Sequence, residues 1–210
     1  MVRQNRPSPR AERLLDELRS HIPGDARESD SLERIREFVA TSADPFARDN
    51  AAGHVTGSAI VARPDGSAFL LIHHRKLDRW LQPGGHSDPE DATVLETALR
   101  EVREETGAQD LVPANGGRAL DVDVHPIPAR GSEPAHFHFD VRYLVILQGD
   151  AGAGEPAEVS GLAWFTPGEA LKAGVDASLV SSLRKAAAIL GCCGRGEDRG
   201  TPSPGGRGMG

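Results

Sequence analysis

The sequence predicts a mixed α/β fold, with helices laid on a curved sheet, and three observations carry that reading. Apolar runs of strand length recur between turn residues, and one strong helical stripe interrupts them. The chain of 210 residues is 38% apolar and 26% charged, the balance of one domain with a buried core.

Leu14, Leu15 and Leu18 recur at helical spacing in residues 9–21, as do Leu32, Ile35, Phe38 and Val39 in residues 31–40. Two amphipathic helices therefore form an extension over residues 1–50, with a role in packing or in a homodimer contact. Pro23-Gly24-Asp25 separates them, and Ser29 or Ser31 is the expected N-cap of the second. From His54 the pattern changes to strands, Val55–Arg63 and Ala68–Arg75, around the turn Arg63-Pro64-Asp65-Gly66. A loop, Trp80-Leu81-Gln82-Pro83-Gly84-Gly85-His86, leads to a helix expected over Asp91–Thr106. Gly107 ends it, and Leu95, Ala98, Leu99 and Val102 form its buried stripe. Strands fit 118–125, 135–148 and 158–165, and helices fit 167–173 and 176–190. The main domain thus spans 51–190. Residues 191–210 hold too little apolar surface to offset the entropy of ordering, so disorder is expected there.

Charge and composition narrow the function. Lys plus Arg number 24 against 31 Asp plus Glu, a formal charge of −7, so no basic surplus favours a nucleic-acid duplex as partner. The longest apolar stretches, 68–72 and 143–147, fall far short of the ~20 residues of a membrane span. The first twenty residues show no apolar secretory core, and the expected compartment is the cytoplasm. Cys192 and Cys193 have neither disulfide-framework nor zinc spacing.

The informative segment is Arg100-Glu101-Val102-Arg103-Glu104-Glu105-Thr106-Gly107. On a helix Glu101, Glu104 and Glu105 fall within an arc of about 100°. A solvated face with ion pairs such as Arg100–Glu104 is the ordinary account of such a run. Yet Glu101 and Glu105 are like charges four residues apart, and all three acids lie toward the helix C-terminus, where the dipole disfavours anions. A cluster that costs stability calls for a counter-ion, and hard oxygen ligands without His or Cys specify Mg²⁺ or Mn²⁺.

The run from Gly84-Gly85 to Ala108 resembles the Nudix box, G-x5-E-x7-R-E-U-x-E-E-x-G-U with U apolar. Its C-terminal half matches at every position. Its N-terminal half carries one residue more between Gly85 and Arg100, so the first acidic position falls on Asp91 or on Glu90. The resemblance implies a Nudix-like mixed sheet sandwiched by helices, and hydrolysis of a nucleoside diphosphate linked to another moiety, or of a related small diphosphate. It implies that Glu101, Glu104 and Glu105 hold the cations, with the carbonyl of Gly84 or Gly85 as a further ligand, and that Arg100 orients a carboxylate. The general base is implied to be Glu104, Glu105 or an acid from a later loop, for which Glu155 and Glu158 are the candidates. The tyrosine that follows the box in dinucleoside polyphosphate hydrolases has no counterpart, since Tyr143 is the sole tyrosine. Non-enzymatic relatives that bind nucleotides or proteins usually lose box acids, and here the Arg-Glu-x-x-Glu-Glu run is intact.

Around the box, strand alternation puts His136, His138, Asp140 and Arg142 on one face, and Asp121, Asp123 and His125 on the matching face of the preceding strand. Pairing of His125 with His136 and of Asp123 with His138 is expected. This face, with His86, reads as a solvent-facing hairpin surface, a substrate-contacting surface or a second metal site. Arg75 is a candidate arm for a substrate phosphate.

Overall fold

A computed structural model describes residues 7–131, 134–152 and 159–191. Glu155, Glu158, the cysteine pair and residues 192–210 of the tail expected to be disordered lie outside the described residues. The chain opens with α1 (Pro9–Arg19) and α2 (Ala26–Thr41). The second helix starts five residues earlier than its apolar spacing predicts. Asp25, not Ser29 or Ser31, caps it, accepting from the Glu28 amide at 2.8 Å.

The sheet follows as β1 (Gly53–Ala62), β2 (Phe69–His74), β3 (Arg79–Leu81), β4 (Gly84–His86), β5 (Leu111–Pro113), β6 (Ala119–Ile127), β7 (His136–Leu147) and β8 (Val159–Phe165). Between β4 and β5 stands α3 (Val94–Thr106), and α4 (Pro167–Lys172) and α5 (Ala177–Ile189) close the fold. The expected loop at 80–86 is in fact two short strands, because its backbone pairs with β2 on one side and with β1 on the other.

At the centre β1 and β7 run parallel, joining Gly53–Ala62 to Phe137–Ile146. The other edge of β1 is shared by β2 near residue 61 and by β4 at residues 56–58; β7 likewise shares its outer edge between β5 and β6. In the β6–β7 hairpin His125 faces His138 and Asp123 faces Asp140, so both expected pairings are displaced by two residues. The strand continues to Ile127 and shortens the connecting loop. An even displacement keeps every side chain on its predicted face.

Two apolar cores lie on opposite faces of the sheet. One gathers Val55, Ala59 and Val61 of β1 with Ala98 and Val102 of α3 and with Leu14, Leu18, Leu32 and Ile35 of the N-terminal helices. The other gathers Ile60, Leu144 and Leu71 with Leu179 and Leu183 of α5. The extension is therefore packed into the main core, the first of the two roles expected of it. Polar ties reinforce it: Glu17 accepts from the Ala119 amide at 2.8 Å and from the Tyr143 hydroxyl at 3.1 Å. No helix among the described residues is long and apolar enough to cross a membrane.

Glu28, 1% exposed, ties α2 to α5 through Lys185 at 2.7 Å and meets the His21 ring at 2.6 Å. Burial works to raise its pKa, but His21, Lys185 and the Gly24 amide outweigh burial and hold it down at about 2, against an ordinary 4.5. A depressed folded pKa contributes stability above pH 4.5 that is lost as the pH falls from there toward 2. In urea unfolding between pH 6 and pH 3, Glu28→Gln is expected to lower stability at pH 6 and to flatten the acid slope; an unchanged slope would refute the assignment.

Candidate active site

The loop between β4 and α3 is built to hold carboxylates. Thr93 caps α3, accepting from the Glu96 amide at 3.1 Å, and Gly107 closes it in the left-handed conformation at φ 69°. The helix thus starts three residues later than Asp91, which folds back instead and accepts from the Asp88 amide at 2.9 Å. Asp91 also receives Arg100 through Nε at 3.3 Å and through a terminal nitrogen at 3.1 Å, a bidentate pair. Of the two acids open for the first acidic position of the motif, Asp91 is therefore the one against Arg100, while Glu90 is exposed.

Arg100 is the hub of this loop. Besides Asp91 it donates to Glu101 at 3.0 Å, to Glu104 at 3.2 Å and to the His86 carbonyl at 2.7 Å. Burial works to lower its pKa, but Asp91 and Glu101 more than reverse this and fix the guanidinium charge. For Asp91, burial works upward, and the bonds from Arg100, Asp88 and Thr97 hold the carboxyl below its usual range. Glu101 differs: burial pushes it up against the pull of Arg100, and Glu104 adds to the rise. A half-buried carboxylate so placed is one that a cation would relieve.

The glycines explain how Glu101 fits. A Cβ on Gly85 would stand 2.6–2.7 Å from the Glu101 carboxyl atoms, and one on Gly84 would stand 2.3 Å from the Ser58 Cβ. Only glycines let β4 lie this close to β1 on one side and to α3 above it. Glu105 reaches back across the same gap and accepts from the Gly84 amide at 2.9 Å. Glu101 and Glu105 thus border the Gly84-Gly85 strand, and Glu104 is tied to the same loop through Arg100, an all-oxygen set suited to Mg²⁺ or Mn²⁺.

The N-terminal helix supports this loop, which no local pattern signals. Arg10 donates to the Asp88 carbonyl at 3.0 Å and to Thr97 Oγ1 at 2.8 Å, and its guanidinium lies 4.2 Å from the Phe46 ring centroid.

On the opposite face of the sheet the polar alternation of β6 and β7 is covered rather than exposed to solvent. Arg142 is buried and meets Asp140, Asp121 and Asp123 at 3.1–3.2 Å, with Ser178 and Ser182 of α5 completing its donors' partners. Asp140 is 3% exposed, and Thr56, Ser58, Gln82 and Arg142 occupy its two oxygens. It is a buried anchor among these donors, set back from the expected substrate-contacting position. Arg75 stands apart at the exposed end of β2, donating to the Val159 carbonyl at 3.1 Å. Trp80 packs between His73 and Phe165.

The same face carries a histidine cluster. His86 and His138 meet there, and His54 joins them, 1% exposed at the start of β1. Ligand nitrogens of the three lie within 4.8 Å of one another. His136 stands 5.0 Å from His54 and 5.3 Å from His138 between ring centroids, and His125 5.5 Å from His138. Burial, reinforced by the four other imidazoles, pushes the His138 pKa down to about 2 and keeps it neutral. The sequence reading left His54 out of the site. The alternation of His54, Thr56 and Ser58 with Val55, Gly57 and Ala59 was the available signal.

Known proteins share this fold. A family model described as NUDIX domain matches residues 53–185. An Ap4A hydrolase from C. elegans, solved as a binary complex, is similar at 22% identity and a TM-score of 0.53, over 65% of this chain and 97% of that one. A MutT NUDIX hydrolase from Burkholderia pseudomallei is similar at 24% identity and a TM-score of 0.48, over 63% and 97%. The NUDIX domain of Shewanella oneidensis NrtR, complexed with ADP ribose, is similar at 19% identity and a TM-score of 0.47, over 65% and 87%. No curated protein matches the chain.

Proposed function

The chain belongs to the Nudix family, as a Nudix-type pyrophosphohydrolase, and we propose that it uses Mg²⁺ or Mn²⁺ to hydrolyse a nucleoside diphosphate linked to another moiety, or a related small diphosphate. The observation that carries this reading is the placement of Glu101 and Glu105 against the Gly84-Gly85 strand, with Arg100 joined to Asp91, Glu101 and Glu104.

The three carboxylates, with a carbonyl of Gly84 or Gly85, are the residues to hold the cations. When bound, such ions would neutralise phosphate oxygens and lower the pKa of a water. Arg100 keeps Glu101 and Glu104 in place and does not itself need to touch substrate; Asp91 in turn holds Arg100. Water attacks phosphorus in line, a P–O bond to the bridging oxygen breaks, and the water's proton passes to Glu104 or Glu105 as general base. Glu105, tied to the Gly84 amide, has its orientation set in advance. Small diphosphates suit the acidic chain only once cations offset its charge.

Incubation of the protein and Mg²⁺ or Mn²⁺ with nucleotide sugars, dinucleotides, nucleoside triphosphates and prenyl diphosphates, read by product identity, tests the reading. Turnover of one class is expected; no product from any class would overturn it. Gly85→Ala tests the cradle: a methyl group 2.6 Å from the Glu101 carboxyl carbon must displace that carboxylate. The expected result is at least a tenfold rise in the Mg²⁺ concentration for half-maximal rate, about 1.4 kcal/mol; an unchanged Mg²⁺ dependence would remove Glu101 from the cation site.

A further inference from the structure

We propose that His54, His86 and His138 form a binding site for a transition-metal ion of the Zn²⁺ class, separate from the carboxylate site and on the other face of the sheet. The placement follows from strand alternation. A Cβ on Gly57 would touch the Val94 carbonyl of α3, and one on Gly85 would touch Glu101, so those positions face α3. His54, odd by three from Gly57, and His86, next to Gly85, face away. Parallel pairing sets His54 beside His138, and antiparallel pairing sets His86 beside Thr56. Three strands distant in sequence thus deliver one imidazole each.

The donor chemistry excludes the hard ions of the carboxylate site. Neutral imidazole suits Zn²⁺, Cu²⁺, Ni²⁺ and Fe²⁺, whereas Mg²⁺ takes oxygen. With Zn–N bonds of about 2.0–2.1 Å, tetrahedral ligands stand about 3.3 Å apart. Nitrogens already within 4.8 Å of one another reach that spacing when each ring moves inward by under about 1 Å, a matter of side-chain rotation. The fourth position falls to His136 or to water.

One neighbour is held in the manner of a metal ligand: His136 Nδ1 donates to the Pro134 carbonyl at 2.9 Å, the outer-shell bond usual for a ligating imidazole. The consequence is mechanical. An ion here would brace β4 to the central β1–β7 pair, and β4 carries the Gly84-Gly85 strand and the His86 carbonyl held by Arg100.

The test is a titration of the chelator-stripped full chain with Co²⁺, an optical probe of nitrogen ligation, followed by Zn²⁺ competition. One Co²⁺ per chain with visible d–d absorption is expected, displaced by Zn²⁺. His86→Gln and His138→Asn are expected to weaken it by at least about tenfold, and Glu101→Gln/Glu104→Gln to retain it. Should His138→Asn fail to fold by circular dichroism, His86→Gln, on a short half-buried strand, decides. At a hundredfold excess over Kd, Zn²⁺ is expected to raise Tm by about 5 °C or more. Absence of the band in the unmodified chain, its survival in His86→Gln, or its loss in the carboxylate variant would overturn the proposal.

Discussion

Glu104→Gln is expected to lower the Mg²⁺-dependent kcat/KM by about a hundredfold or more, within the range of one acid–base group, while leaving the fold intact. Glu104 is 57% exposed, and its bond to Arg100 is one of several holding that guanidinium, the others running to Asp91, Glu101 and the His86 carbonyl. Loss of an exposed i,i+4 pair costs about 0.3–0.5 kcal/mol of stability. The substitution keeps shape and removes charge from a set of three carboxylates. Steady-state kinetics with a melting curve on the same sample separates the two effects. Full activity in the variant would remove Glu104 from the chemistry, and a fall in Tm matching the loss of rate would make its role structural.

Arg142→Met is expected to cost about 3–5 kcal/mol, the range for one partner removed from a buried ion network. Arg142 is 4% exposed and faces three aspartates, of which Asp140 and Asp121 are 3% and 2% exposed. Methionine fills the volume and leaves those acids without their common cation. Against a typical total of about 5–15 kcal/mol, such a loss is a large share of the fold. Urea unfolding at neutral pH measures it as a lower midpoint at unchanged m. Adding Asp140→Asn to the same chain is expected to recover part of the loss, because it removes a charge that Arg142 had matched. A cost below about 1 kcal/mol would show that water or Arg27, which reaches Asp121 and Asp123 from α2, replaces it.

The box helix was legible because its signals are local: acids at helical spacing, an apolar stripe and a terminal glycine lie within sixteen residues. The faces of β6 and β7 were legible for the same reason, and they survived an even change of register. What covers those faces was not. Alternation marks Arg142 and Asp140 as sharing a side, but Ser178, Ser182 and Arg27, which bury that side, arrive from helices far along the chain. His54 escaped notice because its partner strand, β7, lies some eighty residues later and pairs in parallel, without a hairpin turn to announce it. The amphipathic spacing of Leu14, Leu18, Leu32 and Ile35 gave an apolar face without naming its partner, and Arg10's grip on the box loop depends on that docking.

The central claim is that water, not a side chain, attacks phosphorus at the Glu101, Glu104 and Glu105 site. Turnover of the preferred diphosphate in ¹⁸O-labelled water, with mass analysis of both products after a single turnover, tests it most directly. One ¹⁸O in one of the two phosphate-bearing products, dependent on Mg²⁺ or Mn²⁺ and formed about a hundredfold or more slowly in Glu104→Gln, is the expected result. Release of products in which neither phosphate carries the label, or labelled product formed at an undiminished rate in Glu104→Gln, would contradict the account.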